Sequence, residues 1–340
     1  MHALDSASAP TPVSAAKRSS RARRVAAPLV SKITEMQPLP RWARPQNGEG
    51  ALATFSVGAG LALFDHILRS GPDGSEPVYA GCLRQRLALR AAESCAVLCR
   101  LREVAAALRD AEHLAGGGET SPAGRIHQLF RLYASVPARF DAAILLAAEL
   151  LRLKEAIDAG ALANVVAAAP DPLTAAVWAS AAAMKLCPPS TDAEIFAFVV
   201  ADFALARRLD WARPVPLLAV AMAHPSLRRG AGGRRPRPTD EDWPATVAFS
   251  YGLAVVEAHA LAVDLARRAQ KLLAVAPVLR AKGAGRVIDM LLSDDAVTPA
   301  AAASRAGLSD RAARRLFDRL VALDAVRELS GRDSFRIYGL

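Results

Sequence analysis

GRVIDMLLSDDAVTPAAAASRAGLSDRAARRLFDRLVALDAVRELSGRDSFRIYGL, running from Gly285 to Leu340, is the stretch whose reading decides the architecture. Arg286 to Leu292 predicts a first helix with Val287, Ile288, Leu291 and Leu292 turned inward. Thr298 is placed to cap a second helix and Pro299 fits its first position, where a missing N–H costs nothing. Gly307 ends that helix, and the Ser309 hydroxyl can cap a third. In the third, Ala313, Leu316, Phe317, Leu320 and Leu323 make the core stripe, which leaves Arg311, Arg314, Arg315, Asp318 and Arg319 outside. Two β-type runs follow, Val326 to Leu329 and Ser334 to Tyr338, around the turn Ser330-Gly331-Arg332-Asp333. Three helices and a hairpin in that order predict a winged helix-turn-helix over Ala281 to Leu340, with Arg332 at the tip of the wing.

Arginines in the first turns of such a third helix suit duplex DNA, because a guanidinium pairs bidentately with a guanine edge or clamps a phosphate. Arg311, Arg314, Arg315, Arg319 and Arg332 are therefore the candidate contacts, with double-stranded DNA as the expected partner. Ten basic residues against eight acids make this segment only slightly positive. That balance keeps a second reading open, in which the module packs against a protein partner or a second copy of the chain.

Working outward, β-branched alternation is nearly absent before residue 326, and the 52% of apolar residues include only 5% aromatics. Small side chains must then make much of the burial, and the expected fold is all-α: a multi-helix body followed by the winged helix and its small hairpin. The body spans residues 49–280 and the tail before it residues 1–48. Helical pattern is read over 50–71, over one long stretch from Cys82 to Leu114, from Pro122 after the cap Ser121, and over 138–157, 172–187 and 192–209. Pro214 to His224 reads as a short helix and 242–275 as a second long one.

The formal charge of +10 is unevenly placed. Residues 1–45 hold eight Lys or Arg against Asp5 and Glu35, and the loop RRGAGGRRPRP (228–238) adds Arg228, Arg229, Arg234, Arg235 and Arg237 with no acid. Outside these two segments 30 basic residues face 31 acidic ones, so the body is neutral and the polyanion signal lies in the tail and the loop. The five loop arginines either add sequence-blind phosphate contacts or pair with the Asp240, Glu241 and Asp242 that follow. The tail reads as disordered and basic.

Four cysteines, at 82, 95, 99 and 187, make no disulfide framework in a chain this long. No uncharged apolar run reaches the roughly 18–20 residues of a bilayer span, and the first residues lack a signal peptide's apolar core. A cytoplasmic protein with no membrane partner is expected. Cys95 and Cys99 share a helix face, but no CxxC or HxxxH supports a metal site, and they read as core. His66, His127 and His259 read as partly buried helix residues, and Glu257 and His259 point to different sides of theirs. Gly283-Ala284-Gly285-Arg286 has no leading strand and fails as a phosphate loop. No nucleophile, metal or cofactor motif is present, and no catalytic residue or cofactor is expected.

Several longer motifs carry a resemblance. GCLRQRLALRAA (81–92), AALRDAEHL (106–114), SPAGR (121–125), AHPSLRRGAGGRRPRPTDEDW (223–243), EAHALAVDLARRA (257–269) and the whole tail from Gly283 resemble the domain-of-unknown-function 1403 family over residues 50–340. The resemblance implies an α-proteobacterial, often plasmid-borne protein and brings no activity with it. The leading expectation is a regulatory or plasmid-related DNA-binding protein; the alternative is a helical scaffold.

Overall fold

Side-chain caps and prolines set where the helices begin. In the computed structural model, which describes residues 33, 36–45, 51–114, 121–153, 157–228, 233–332 and 335–340, Ser121, Asp158, Asp171 and Ser190 each accept the main-chain N–H three residues on. Those bonds start α4 (Pro122–Tyr133), α6 (Ala159–Ala168), α7 (Pro172–Leu186) and α8 (Thr191–Arg208). Satisfying an otherwise orphaned N–H at each start is typically worth about 1 kcal/mol. The other body helices are α1 (Ala51–Leu68), α2 (Ala80–Leu98), α3 (Ala105–Leu114), α5 (Phe140–Leu150), the single turn α9 (Leu218–Ala221) and α10 (Trp243–Val275). The described residues are mostly helical, and their only sheet has two strands. The chain is all-α.

Burial follows helix by helix. Every residue of α8 from Ala193 to Ala206 is buried, so this helix is enclosed on all sides and forms the centre of the body, with α7 packed along it. Alanines and cysteines of α2 (Cys82, Ala88, Ala91, Ala92, Cys95) are also fully buried, which lets α4 and α9 approach its backbone closely. At 33 residues α10 runs for about 50 Å against α1, α7, α9 and α2. Its most apolar 18-residue window has a mean hydropathy of 1.5, high enough for a membrane span by length and composition, but 56% of that window is buried within the body. It is packed as a core helix.

Some boundaries differ from those expected. The long helix read over Cys82–Leu114 is two helices, because Arg100 turns left-handed (φ 58°) and the Leu101 N–H reaches back to the Ala96 carbonyl. The stretch read over 138–157 ends as α5 at Leu150, and α6 follows. Residues 36–45, within the segment assigned to the basic tail, form a short strap with one 3₁₀ turn, and Leu39 and Ala43 are buried in it. Residues 1–32, 34, 35 and 46–48 of that tail lie outside the described residues. Residues Lys32–Leu340 make a single compact unit.

The C-terminal segment consists of α11 (Ala284–Ser293), α12 (Pro299–Ala306), α13 (Asp310–Ala322) and strands β1 (Arg327–Glu328) and β2 (Tyr338–Gly339). Thr298 caps α12 through the Ala301 N–H, Gly307 closes it at φ 66°, and Ser309 caps α13 through the Ala312 N–H. The strands pair antiparallel, Arg327 opposite Gly339 and Glu328 opposite Tyr338. On the other edge of β2, Val297 and Tyr338 exchange main-chain hydrogen bonds of 2.7 and 2.9 Å. The Phe317 ring stacks on Tyr338 with centroids 4.5 Å apart, which fixes the ribbon to α13. The strands are shorter than the expected β-runs, and Asp333 and Ser334 lie outside the described residues.

Candidate nucleic-acid interface

Helical spacing sorts the side chains of α13 into three ridges. Ala313, Leu316, Phe317 and Leu320 are buried against α12 and the ribbon. Arg311, Arg315 and Arg319 recur every fourth residue on the side opposite that core, and all three are exposed. Among the described residues none of the three has an acidic partner. Between these ridges run Asp310, Arg314 and Asp318, an acid–base–acid row. That row lines a cleft of about 630 Å³, together with His113, Phe335, Arg336 and Tyr338. The four arginines expected on α13 therefore divide by face: three share one open ridge, and Arg314 lines the cleft in the same row as Asp310 and Asp318, without an ion pair to either.

Arg332, expected at a free wing tip, is turned to the body, where its Nη2 lies 2.5 Å from Asp110 of α3. The loop arginines separate as well. Arg228 and Arg237 are exposed, and Arg229 lies outside the described residues. Arg234 pairs with Asp240 at 2.9 Å, one of the acids expected to compete for it. Arg235 is drawn inward: it pairs with the buried Glu194 of α8 at 2.5 Å and stands over the Phe198 ring at 5.5 Å. With only 11% of its side chain exposed, Arg235 is a structural cation of the body.

A second cluster was not picked out from the sequence. Asp295, in the connection between α11 and α12, is fully buried and receives Arg109 Nε at 2.8 Å, Arg131 Nη1 at 3.2 Å and His113 Nε2 at 3.3 Å. Arg131 also holds Asp294 through both of its terminal nitrogens and Glu112 through Nε. Arg86 of α2 donates to the main-chain oxygens of Asp295 and Leu340. Burial opposes the charge on Asp295, yet the His113 hydrogen bond and the Arg109 guanidinium hold its carboxyl well below the usual carboxylate range. Burial pulls the neighbouring His127 down to about 4, so that ring is neutral in the fold. The network ties α2, α3 and α4 to the C-terminal helices. Gly81 completes the contact, since a Cβ there would lie 2.8 Å from the Ser293 backbone. The only sequence signal was the adjacent pair Asp294–Asp295 in a short connection.

His113, Asp294 and Asp295 offer ligand atoms within 4.8 Å of one another, the spacing of a metal site. The surrounding charge argues against one. Both carboxylates already accept guanidinium hydrogen bonds, and Arg109 and Arg131 would repel a cation at the same point. The donor set fits an ion-pair hub.

The remaining candidates are individually engaged. Glu257 lies 3.5 Å from Arg90, and Asp264 holds Arg267 and Arg268, so neither joins His259 in a catalytic group. Cys82, Cys95 and Cys187 are buried and Cys99 is half-buried; desolvation pushes the Cys82 thiol up to about 12 and Cys99 up to about 11. Such thiols are inert packing residues.

The family profile described as "Protein of unknown function (DUF1403)" matches residues 27–340. The chain belongs to the DUF1403 family. The match takes in the strap at 36–45 as well as the body and the C-terminal helices, and so begins ahead of the residue-50 start of the resemblance seen in the motifs. No curated protein matches the chain.

Proposed function

We propose that Ala281–Leu340 of this DUF1403 protein is a winged helix-turn-helix that docks on double-stranded DNA through α13, with residues 49–280 as its helical carrier. The observation that carries the reading is the ridge of Arg311, Arg315 and Arg319 on the side of α13 opposite the core, without acidic partners among the described residues. The order of three helices and a ribbon, with Val297 bridged to the ribbon's outer edge, fits a module that lays its third helix in the major groove. Arg228 and Arg237 would add salt-sensitive phosphate contacts. Arg332, Arg234 and Arg235 would contribute less, because each is paired with a carboxylate; Arg314 faces the cleft beside the ridge.

Anisotropy of a labelled duplex tests this. Arg315→Ala weakens binding by about 1–3 kcal/mol if Arg315 reads a base edge, and roughly uniformly across sequences if it clamps a phosphate. Unchanged affinity in that variant would remove α13 from the interface.

One observation favours a second reading. The hub at Asp295 and the Arg332–Asp110 pair join the C-terminal helices to the body through charges, as in a packing module of a partner-binding or homodimeric scaffold. In that case the chain sediments as a complex or dimer and ignores duplex DNA at low salt.

A further inference from the structure

We propose that the cleft between α5, α6 and the end of α8 binds a small organic anion, one with at least two negative charges (a phosphate monoester or a dicarboxylate) on an apolar body. The proposal concerns the helical body and does not depend on how α13 is used. The cleft has a volume of about 540 Å³, within the range of small-molecule sites. Its floor is apolar: Phe140 at the start of α5 and Val166 of α6 are almost fully buried, with Ala163 and Ala167 beside them. Its polar lining consists of three guanidiniums, Arg139, Arg207 and Arg208.

Charge makes this arrangement selective. Among the side chains that the structure describes, which leave out that of Asp141, no carboxylate lines the cleft, and none of the three arginines has an ion-pair partner. Asp171, the acid within electrostatic reach of Arg208, is occupied as the cap of α7 by the Thr174 N–H and hydroxyl. Three like charges around one concavity repel each other and focus a positive potential into it, which a multivalent anion relieves. Guanidinium forks match the planar or trigonal oxygens of carboxylate and phosphate two at a time. The apolar floor adds what an inorganic ion cannot use, because only a ligand with hydrocarbon of its own removes that surface from water.

The test is calorimetric titration of the full chain with inorganic phosphate, phenyl phosphate and phthalate in about 0.15 M salt. The expected result is one site per chain for phenyl phosphate or phthalate, bound about ten-fold more tightly than inorganic phosphate. Arg207→Ala combined with Arg208→Ala should weaken that binding by roughly ten-fold or more. Ala167→Glu is a second variant at an exposed helix position; it places a carboxylate in the cleft and should abolish binding with an unchanged melting curve. Three results would overturn the proposal: no saturable binding of either organic anion up to about 1 mM, equal affinity for inorganic and organic anions, or binding undiminished in both variants. None of these substitutions touches residues 281–340, so failure here leaves the reading of α13 standing.

Discussion

Replacing Asp295 by Asn should loosen the whole C-terminal segment. The carboxylate is fully buried and accepts from Arg109, Arg131 and His113. The isosteric amide keeps the volume and removes the charge. Arg131 keeps Asp294 and Glu112, so the side chain left uncompensated is chiefly Arg109, whose exposure is 15%. Stranding one cation in a mostly buried site puts the cost near the lower end of that for a broken buried pair, about 3 kcal/mol. In a chain of 340 residues, with about 2.1 cal/mol/K of unfolding entropy per residue, that lowers the melting temperature by about 4 °C. The pH dependence gives a second readout. Asp295 ionises in the fold well below its unfolded value, so its stabilisation is complete above about pH 4 and is lost as pH falls below that. The variant should therefore lose less stability on the acid side than the parent chain. Arg267→Ala, which cuts an exposed pair with Asp264, is the control and should change stability by no more than about 0.5 kcal/mol. A melting temperature for Asp295→Asn within about 2 °C of the parent would refute the hub as a structural element.

Two further outcomes follow from the body. Asp202, buried in α8, accepts from Tyr133, Tyr251 and the N–H groups of Leu217 and Leu218, while burial pushes its carboxyl up to about 7. Because that pKa is raised, the stability it supplies is present at acid pH and lost as pH rises through about 7; Asp202→Asn should cost about 1–3 kcal/mol, and more near pH 5 than near pH 8 in thermal melts. Arg235→Met strands the buried Glu194 and should cost about 3 kcal/mol in urea unfolding, with Arg235→Met/Glu194→Met recovering most of the loss.

What could be read in advance depended on how local its cause was. The starts of α12 and α13 were legible because Thr298, Pro299, Gly307 and Ser309 each act within four residues of chain. The break after α2 was not, since Arg100 takes the left-handed conformation without a glycine or proline to mark it. The α6 helix was missed because GALANVVAA has no polar face from which to read a period. The arginine ridge on α13 was visible as spacing, but the fates of its relatives were not. Arg332 and Arg235 meet acids 222 and 41 residues away, and the hub joins residues more than 160 apart. Pairings of that range are set by packing, which the local pattern does not encode.

The proposed docking of α13 on DNA is tested most directly by the salt dependence of duplex binding. The measurement compares the parent chain with the Arg311→Ala/Arg315→Ala/Arg319→Ala variant between about 50 and 200 mM salt. The account predicts a steep linear fall of log affinity with log salt for the parent. In the variant the slope should be shallower by about 2–3, close to one unit for each phosphate that a removed guanidinium had neutralised. Identical slopes, or no binding by the parent chain at the lowest salt, would contradict it.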